Sequence, residues 1–176
     1  MQRMQRPDPS EQAAYYDTYI RLVPAGDIVQ TLSRQHDDTQ ALLRGLSDAQ
    51  ACWRPAPAEW SVKQVVGHML DTERVFALRA LWFARGGEQA LPGFSQTEWM
   101  ACCDFDAQPL ADLLAEWAHC RASNLQLFTG FDDAAWARGG IASGNPSTVR
   151  TWVWCIAGHE LHHLESLRTV YREAMG

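Results

Sequence analysis

The strongest constraint on the fold is the spacing of apolar residues near the end of the chain. Between Val149 and Val170, apolar side chains recur at intervals of three and four residues, and His159 and His163 occupy two positions of the same series. This period predicts an amphipathic helix that starts near Ser147 and runs to the C-terminus. Both histidines are therefore expected to face the protein interior. The stripe consists of Val149, Trp152, Ile156, His159, His163, Leu167 and Val170.

Three upstream segments show the same helical period. They cover residues 27–46, 61–87 and 109–130. Asp27 and Ser61 are suited to accept hydrogen bonds from the free N–H groups of a first turn. Alternating strand patterns with Asn-Gly or Asp-Gly turns are not found, so no sheet is expected. The predicted fold class is all-α, a four-helix bundle with long connecting loops.

The length of the chain predicts a single core. With 176 residues it is long enough for one well-buried domain. We divide it into an N-terminal lead segment, residues 1–26, and a bundle domain, residues 27–176. The loop of residues 88–108 is long enough at full extension to cross the bundle from one end to the other. The five cysteines include an adjacent pair, Cys102 and Cys103, but no Cys-x-x-Cys, so neither a disulfide framework nor a zinc ribbon is indicated.

Charge and hydropathy exclude two classes of partner. The net charge of -6 and the lack of a Lys/Arg block disfavour nucleic-acid binding. The N-terminus has no signal-peptide pattern and no apolar stretch is long enough to span a membrane, so a cytoplasmic protein without membrane contact is expected. Eight tryptophans must be buried or line a pocket, and Trp60, Trp152 and Trp154 suit either place.

The stretch GHELHHLE, residues 158–165, contains a literal His-Glu-x-x-His string. Zinc proteases with this string usually take a third ligand downstream, where this chain has Ser166 and Thr169 in place of the expected Gly and His. The protease interpretation is therefore disfavoured. Two imidazoles one turn apart can still converge on a single metal ion. Two core histidines with other hydrogen-bond partners are the alternative.

A third ligand would have to come from upstream. The candidates are His36, His68 and His119. His119 lies off the apolar line of its helix and is expected at the surface, whereas His36 is expected to be either solvated or directed inward. His68 has apolar neighbours and follows Gly67, which leaves room beside it.

Two segments carry a resemblance to a known family. EWSVKQVVGHMLDTERVF (59–76) and GHELHHLESLR (158–168) resemble the signature helices of the DinB-like/YfiT superfamily, and LPGFSQ resembles a loop in one branch of it. The resemblance implies a bundle of up-down-down-up topology. It also implies a divalent metal, zinc or nickel, held by His68, His159 and His163.

The resemblance further implies an enzyme. Three neutral imidazoles leave a coordination position open, which is typical of catalytic sites. We expect either hydrolysis by activated water or transfer of a low-molecular-weight thiol to a small-molecule substrate, with no further cofactor and with a homodimer as the assembly. The alternative is a non-catalytic, stress-associated metal-binding bundle that acts through dimerisation.

Four residues near the ligands are candidates for a supporting role. Asp71, Glu73 and Glu160 are candidate hydrogen-bond acceptors for the ligands or candidate general bases, and solvated helix-face carboxylates are the alternative. His162 is adjacent to the second ligand of the pair and is expected either behind the ligands or at the surface.

Overall fold

The computed structural model describes Arg3 and residues 5–175 and consists mainly of helices. The helices are α1 (Ala14–Ile20), α2 (Ile28–Leu43), α3 (Asp48–Ala51), α4 (Val62–Ala84), α5 (Gln96–Ala101), α6 (Leu110–Thr129), α7 (Asp133–Ala137), α8 (Val149–Thr169) and α9 (Arg172–Met175). A short 3₁₀ turn covers Pro9–Glu11, and the strands β1 (Gly139–Ala142) and β2 (Asn145–Thr148) form a hairpin. The all-α four-helix bundle predicted from the sequence is confirmed, with α2, α4, α6 and α8 as its helices.

Side-chain caps set where these helices begin. Asp27 accepts a hydrogen bond from the amide of Val29 at the start of α2. Ser61 and Gln64 form the capping box expected at the start of α4. The cap of α8 is Thr148, one residue beyond the predicted Ser147.

The arrangement of α2 and α4 around α8 follows from their contacts. Gln35 of α2 donates to the Ala157 carbonyl, and Thr39 donates to Glu160. The later residue of α2 contacts the later residue of α8, so the two helices are parallel. By contrast α4 and α8 run antiparallel, because early residues of α4 meet late residues of α8.

Helix α6 completes the ring between α2 and α4. Gln40, near the end of α2, donates to the Leu114 carbonyl near the start of α6, so these two helices are antiparallel. In consequence α6 is parallel to α4, and the directions along the chain are up, down, down, up. Since α4 and α6 point the same way, the segment 85–109 must traverse the length of the bundle, as its length had suggested.

The prediction that no sheet would form is wrong for residues 139–148. The turn is made by Ser143 and Gly144, whose φ angles of 52° and 77° match the primed turns that suit tight hairpins. Gly140 lets the hairpin approach α4, because a Cβ on Gly140 would lie 2.5 Å from the ring of Phe83. An isolated hairpin of this size is marginal in water, so packing on α4 holds it.

The lead segment contains helix α1, which packs on α8. The contact is made at Gly158, where an added Cβ would lie 2.2 Å from the carbonyl oxygen of Tyr19. Arg6 ties the preceding chain to the end of α1 by donating to the Ile20 and Val23 carbonyls. As a result the tyrosines of α1 lie against the middle of α8.

Within residues 5–175, none of the helices combines the length and apolar character that a membrane crossing requires.

Candidate metal centre

Three histidine rings converge between α4 and α8. The Nε2 atom of His159 lies 3.1 Å from Nε2 of His68 and 3.1 Å from Nε2 of His163. All three rings offer a ligand atom, and these atoms lie within 4.8 Å of one another. The structure thus brings together the three residues singled out as ligands.

Burial keeps these imidazoles neutral. It lowers the pKa of His68 to about 4. For His163 burial, with His68 and His162 nearby, lowers the pKa to about 3. The pKa of His159 is also well below its ordinary value because the ring is buried and faces the other histidines. Neutral imidazole is the form that binds a metal ion, so the lone pairs are available at neutral pH.

The spacing of the nitrogens fits a metal ion better than hydrogen bonding. An sp² nitrogen carries one hydrogen or one lone pair, so Nε2 of His159 cannot satisfy both neighbours at once. Nitrogen ligands about 2.0–2.1 Å from a tetrahedral ion lie roughly 3.3 Å apart, close to the observed separations. The donor set is compatible with zinc and with nickel. The three residues would hold the ion through Nε2.

Glycine residues next to two of the ligands admit the segments that cover them. A Cβ on Gly67 would lie 2.5 Å from the Phe105 ring, so the room beside His68 is filled by that phenylalanine. On α8, Gly158 admits α1 and brings the Tyr19 ring 5.3 Å from the ring of His159. In both Gly-His pairs, Gly67-His68 and Gly158-His159, the glycine therefore allows another segment to pack closely beside the histidine.

A pocket of about 270 Å³ opens beside the histidines. His68 and His159 form part of its wall, next to aromatic rings from α1 and α4. Among the described residues that line it there is no aspartate or glutamate. The lining consists of Tyr15, Tyr16, Tyr19, His68, Thr72, Phe76, Phe94, Ser95, Gln96, Ser143 and His159.

Behind the histidines, on the side of α6, lies a buried network of charges around Arg121. Its Nε and Nη2 donate to both oxygens of Glu73 at 2.8 and 2.7 Å, and Nη2 also donates to Glu160 at 2.9 Å. Nη1 donates to the Leu32 carbonyl at 2.8 Å. Arg121 therefore links all four helices of the bundle.

Both carboxylates of this network are fully partnered. Trp117 and Asn124 donate to Glu73, and Thr39 donates to Glu160. Burial alone would raise the pKa of Glu73, but Arg121 and these hydrogen bonds outweigh it and lower the pKa below its ordinary value. Glu73 and Glu160 are 3% and 2% exposed, so the interpretation of these two as solvated carboxylates is wrong.

The other residues considered in the sequence lie outside the cluster. Asp71 is partly buried, 3.5 Å from Arg74, and burial raises its pKa. His162 is exposed, with its ring 5.5 Å from that of Tyr19. His119 is exposed as expected. His36 is buried 5.2 Å from the Trp117 ring, and within the described part of the chain neither of its ring nitrogens has a hydrogen-bond partner.

Sequence reasoning missed Arg121 and the tyrosines of α1. On α6 the structure buries Arg121 and leaves its neighbour Cys120 half-buried. The signal for this buried face was a spacing of four, three and four residues along the helix. It joins Trp117, Arg121, Asn124 and Phe128. In the lead segment, Tyr16, Tyr19 and Ile20 recur at helical spacing.

Fold and site together define a four-helix-bundle protein with a buried three-histidine cluster open to a pocket. The sequence of residues 31–167 matches the DinB superfamily, so the chain belongs to that superfamily. A curated relative from Geobacillus thermodenitrificans (strain NG80-2), named "Putative metal-dependent hydrolase", is 30% identical over 91 residues. That match spans 51% of this chain and 51% of the relative.

Solved structures share the fold. YfiT from Bacillus subtilis, described as "a probable metal-dependent hydrolase with an unusual four-helix bundle topology", superposes with a TM-score of 0.74 at 17% identity and covers 96% of this chain and 93% of its own. A mycothiol-dependent maleylpyruvate isomerase gives a TM-score of 0.67 at 13% identity, over 84% of this chain and 62% of its own. A DinB-like protein from Bacillus subtilis gives a TM-score of 0.59 at 20% identity, and the match covers 83% of this chain and 90% of that protein.

Proposed function

We propose that this protein is a metal-dependent hydrolase whose zinc or nickel ion is held by His68, His159 and His163. The observation that carries the proposal is the convergence of three neutral imidazole nitrogens at the wall of a pocket. The names of the Geobacillus relative and of YfiT point to the same class of reaction. Such an ion supplies Lewis acidity, which polarises a carbonyl and lowers the pKa of a bound water.

The residues around the pocket serve to bind and orient a substrate. Phe76 and Phe94 offer apolar surface to its body. The Tyr19 hydroxyl lies 2.8 Å from that of Tyr15, and burial raises the pKa of Tyr19, so the phenol keeps its proton at neutral pH. It can therefore donate a hydrogen bond to a substrate oxygen. The tyrosines also cover the histidines and limit access of bulk water.

One observation favours a second candidate, transfer of a low-molecular-weight thiol. The described residues that line the pocket include no carboxylate to act as a general base. A thiol, with an ordinary pKa of about 8.5, loses its proton far more readily than water and needs less help from a base. The catalyst in this reaction would be the same three-histidine site.

Metal content tests the site itself. We expect about one zinc or nickel ion per purified chain, measured by mass spectrometry of the elements. The variants His163→Ala and His159→Ala should lose the ion, because two imidazoles bind far more weakly than three. His119→Ala removes an exposed histidine and is the matched control, which should keep the metal. Equal metal content in all four proteins would contradict the proposed site.

Activity separates the two reactions from a non-catalytic role. The zinc-loaded and nickel-loaded proteins are assayed with simple esters and amides, and separately with cysteine and 1-chloro-2,4-dinitrobenzene. Turnover that disappears with chelation and in His163→Ala supports an enzyme, and the substrate that is consumed identifies the reaction. A protein that binds the metal and dimerises but turns over neither set would instead support the non-catalytic dimeric bundle.

A further inference from the structure

Behind the pocket wall lies a buried arginine, Arg79, that has no carboxylate partner among the described residues. Arg79 is 2% exposed, and its Nη2 donates to the Pro92 carbonyl at 2.8 Å and to Ser143 Oγ at 2.9 Å. In the described part of the chain no carboxylate pairs with this guanidinium, and its Nη1 has no hydrogen-bond partner of ordinary geometry. Burial lowers the pKa of Arg79, and the nearby Tyr16 hydroxyl offsets only part of this effect. The result is a cation enclosed in protein.

An enclosed charge of this kind is destabilising unless something compensates it. The Trp152 ring, whose centroid is 4.5 Å from the guanidinium carbon, compensates part of the cost. Arg121 shows the usual solution, because two carboxylates surround it. At Arg79 no residue in the described part of the chain supplies the corresponding anion.

Arg79 lies directly behind the pocket. Phe76, Phe94 and Ser143 line the pocket, and each also contacts the guanidinium. Long side chains of a helix lean toward its N-terminus, so Arg79 leans along α4 toward His68. The two residues are eleven positions apart, which places their Cα atoms roughly 16 Å from each other. The pocket therefore extends from the histidines toward this cation.

Ser143 connects the arginine to the pocket. Its oxygen accepts a hydrogen bond from Arg79, which leaves its own O–H free to donate to a ligand. A charged donor polarises the hydroxyl and strengthens this second bond. Ser143 also holds a φ of 52°, the only positive φ among the described residues other than glycine. This φ is the one that the primed turn of the hairpin requires, and the turn holds the Ser143 side chain at the pocket wall.

We propose that the pocket binds a small carboxylate, with its anionic group at the Ser143 hydroxyl in front of the Arg79 guanidinium and its reacting group at the three histidines. One cation and one hydroxyl suit a single negative charge. None of the lining residues that the structure describes is acidic, so none of them repels the anion. Phe76 and Phe94 suit an apolar body between the two ends. The inference rests on the proposed function for the reacting end only, since the anion site uses none of the histidines.

The test compares benzoate with its neutral isostere benzamide. Binding is measured by titration calorimetry on the zinc-loaded protein and on the chelator-treated protein. We expect benzoate to bind at least tenfold more tightly than benzamide in both states. Arg79→Met should weaken benzoate binding by about ten- to hundredfold, because a charged hydrogen-bonding group is lost. Ser143→Gly removes the hydroxyl while tolerating the positive φ, and should also weaken it.

The controls make each outcome decisive. Arg74→Met removes an exposed cation from the same helix and should leave benzoate binding unchanged. The inference would be overturned if benzoate and benzamide bound equally. It would also be overturned if benzoate binding needed zinc and was unchanged in Ser143→Gly. If Arg79→Met does not fold, Ser143→Gly decides. A protein that binds no metal yet still prefers benzoate would overturn the proposed function and leave the carboxylate site intact.

Discussion

Replacing Arg121 with methionine tests the buried charge network. Arg121 is 1% exposed and neutralises Glu73 and Glu160, which have no other cationic partner among the described residues. Methionine fills much of the same space but leaves two buried carboxylates without their cation. Breaking a buried ion pair by removing one partner costs about 3–5 kcal/mol of stability. We expect the free energy of unfolding of the metal-free protein to fall by this amount at pH 7.

The loss should depend on pH in a defined direction. In the native chain the pKa of Glu73 is lowered, so its contribution to stability is present above the ordinary carboxyl pKa and is lost as pH falls. In the variant, which lacks Arg121, burial should raise the pKa of Glu73. As the pH falls, Glu73 then becomes protonated, and the cost of its buried negative charge disappears. The difference in stability between the two proteins should therefore shrink from about pH 7 to about pH 5. Arg121 also helps burial to lower the pKa of His36, so without Arg121 this histidine takes up a proton more readily, which narrows the difference in the same direction.

Urea denaturation of both metal-free proteins at several pH values measures this difference. Arg74→Met is the matched control, because Arg74 pairs with Glu116 at the surface and its loss should cost less than about 1 kcal/mol. The assignment of Arg121 as the cation that stabilises both carboxylates would be refuted by either of two results. Arg121→Met could cost less stability at pH 7 than the control Arg74→Met, or the stability difference between Arg121→Met and the native protein could stay constant with pH.

Two further predictions concern the histidines and α1. The metal-free protein should lose stability as the pH falls from about 6.5 toward 4. In this range the histidines of the unfolded chain take up protons, whereas His68 and His36, whose folded pKa values are about 4, do not. Thermal denaturation in the presence of a chelator measures this loss, and constant stability over that range would contradict it. Gly158→Ala should cost about 1–3 kcal/mol, because its Cβ would collide with the backbone of Tyr19. Gly45→Ala, which meets nothing within 4 Å, should be close to neutral in the same denaturation assay, and equal effects of the two substitutions would contradict the close packing of α1.

The parts of the fold that could be predicted are those governed by helical periodicity. The stripe on α8 placed His159 and His163 on one buried face, and the caps Asp27 and Ser61 begin helices where expected. A period of three to four residues reports directly on which face of a helix is buried. The resemblance of the GH segments then singled out His68, which the residues alone left among three candidates.

The parts that were missed depend on contacts between distant segments. Arg121 was not expected inside because an arginine is buried only when carboxylates from other helices meet it, and Glu73 and Glu160 come from two different helices. The hairpin at 139–148 has strands of four residues, too short to show alternation, and depends on Gly140 meeting Phe83. Helix α1 is short and is held by packing on Gly158.

The segment that crosses the bundle between α4 and α6 has a consequence for how such proteins can diverge. It supplies Phe94, Ser95 and Gln96 to the pocket, whereas the three histidines come from α4 and α8. Substitutions in the crossing segment can therefore remodel what the pocket accepts while the helices keep the same donor atoms in place. One three-histidine frame can in this way be adapted to many different small molecules.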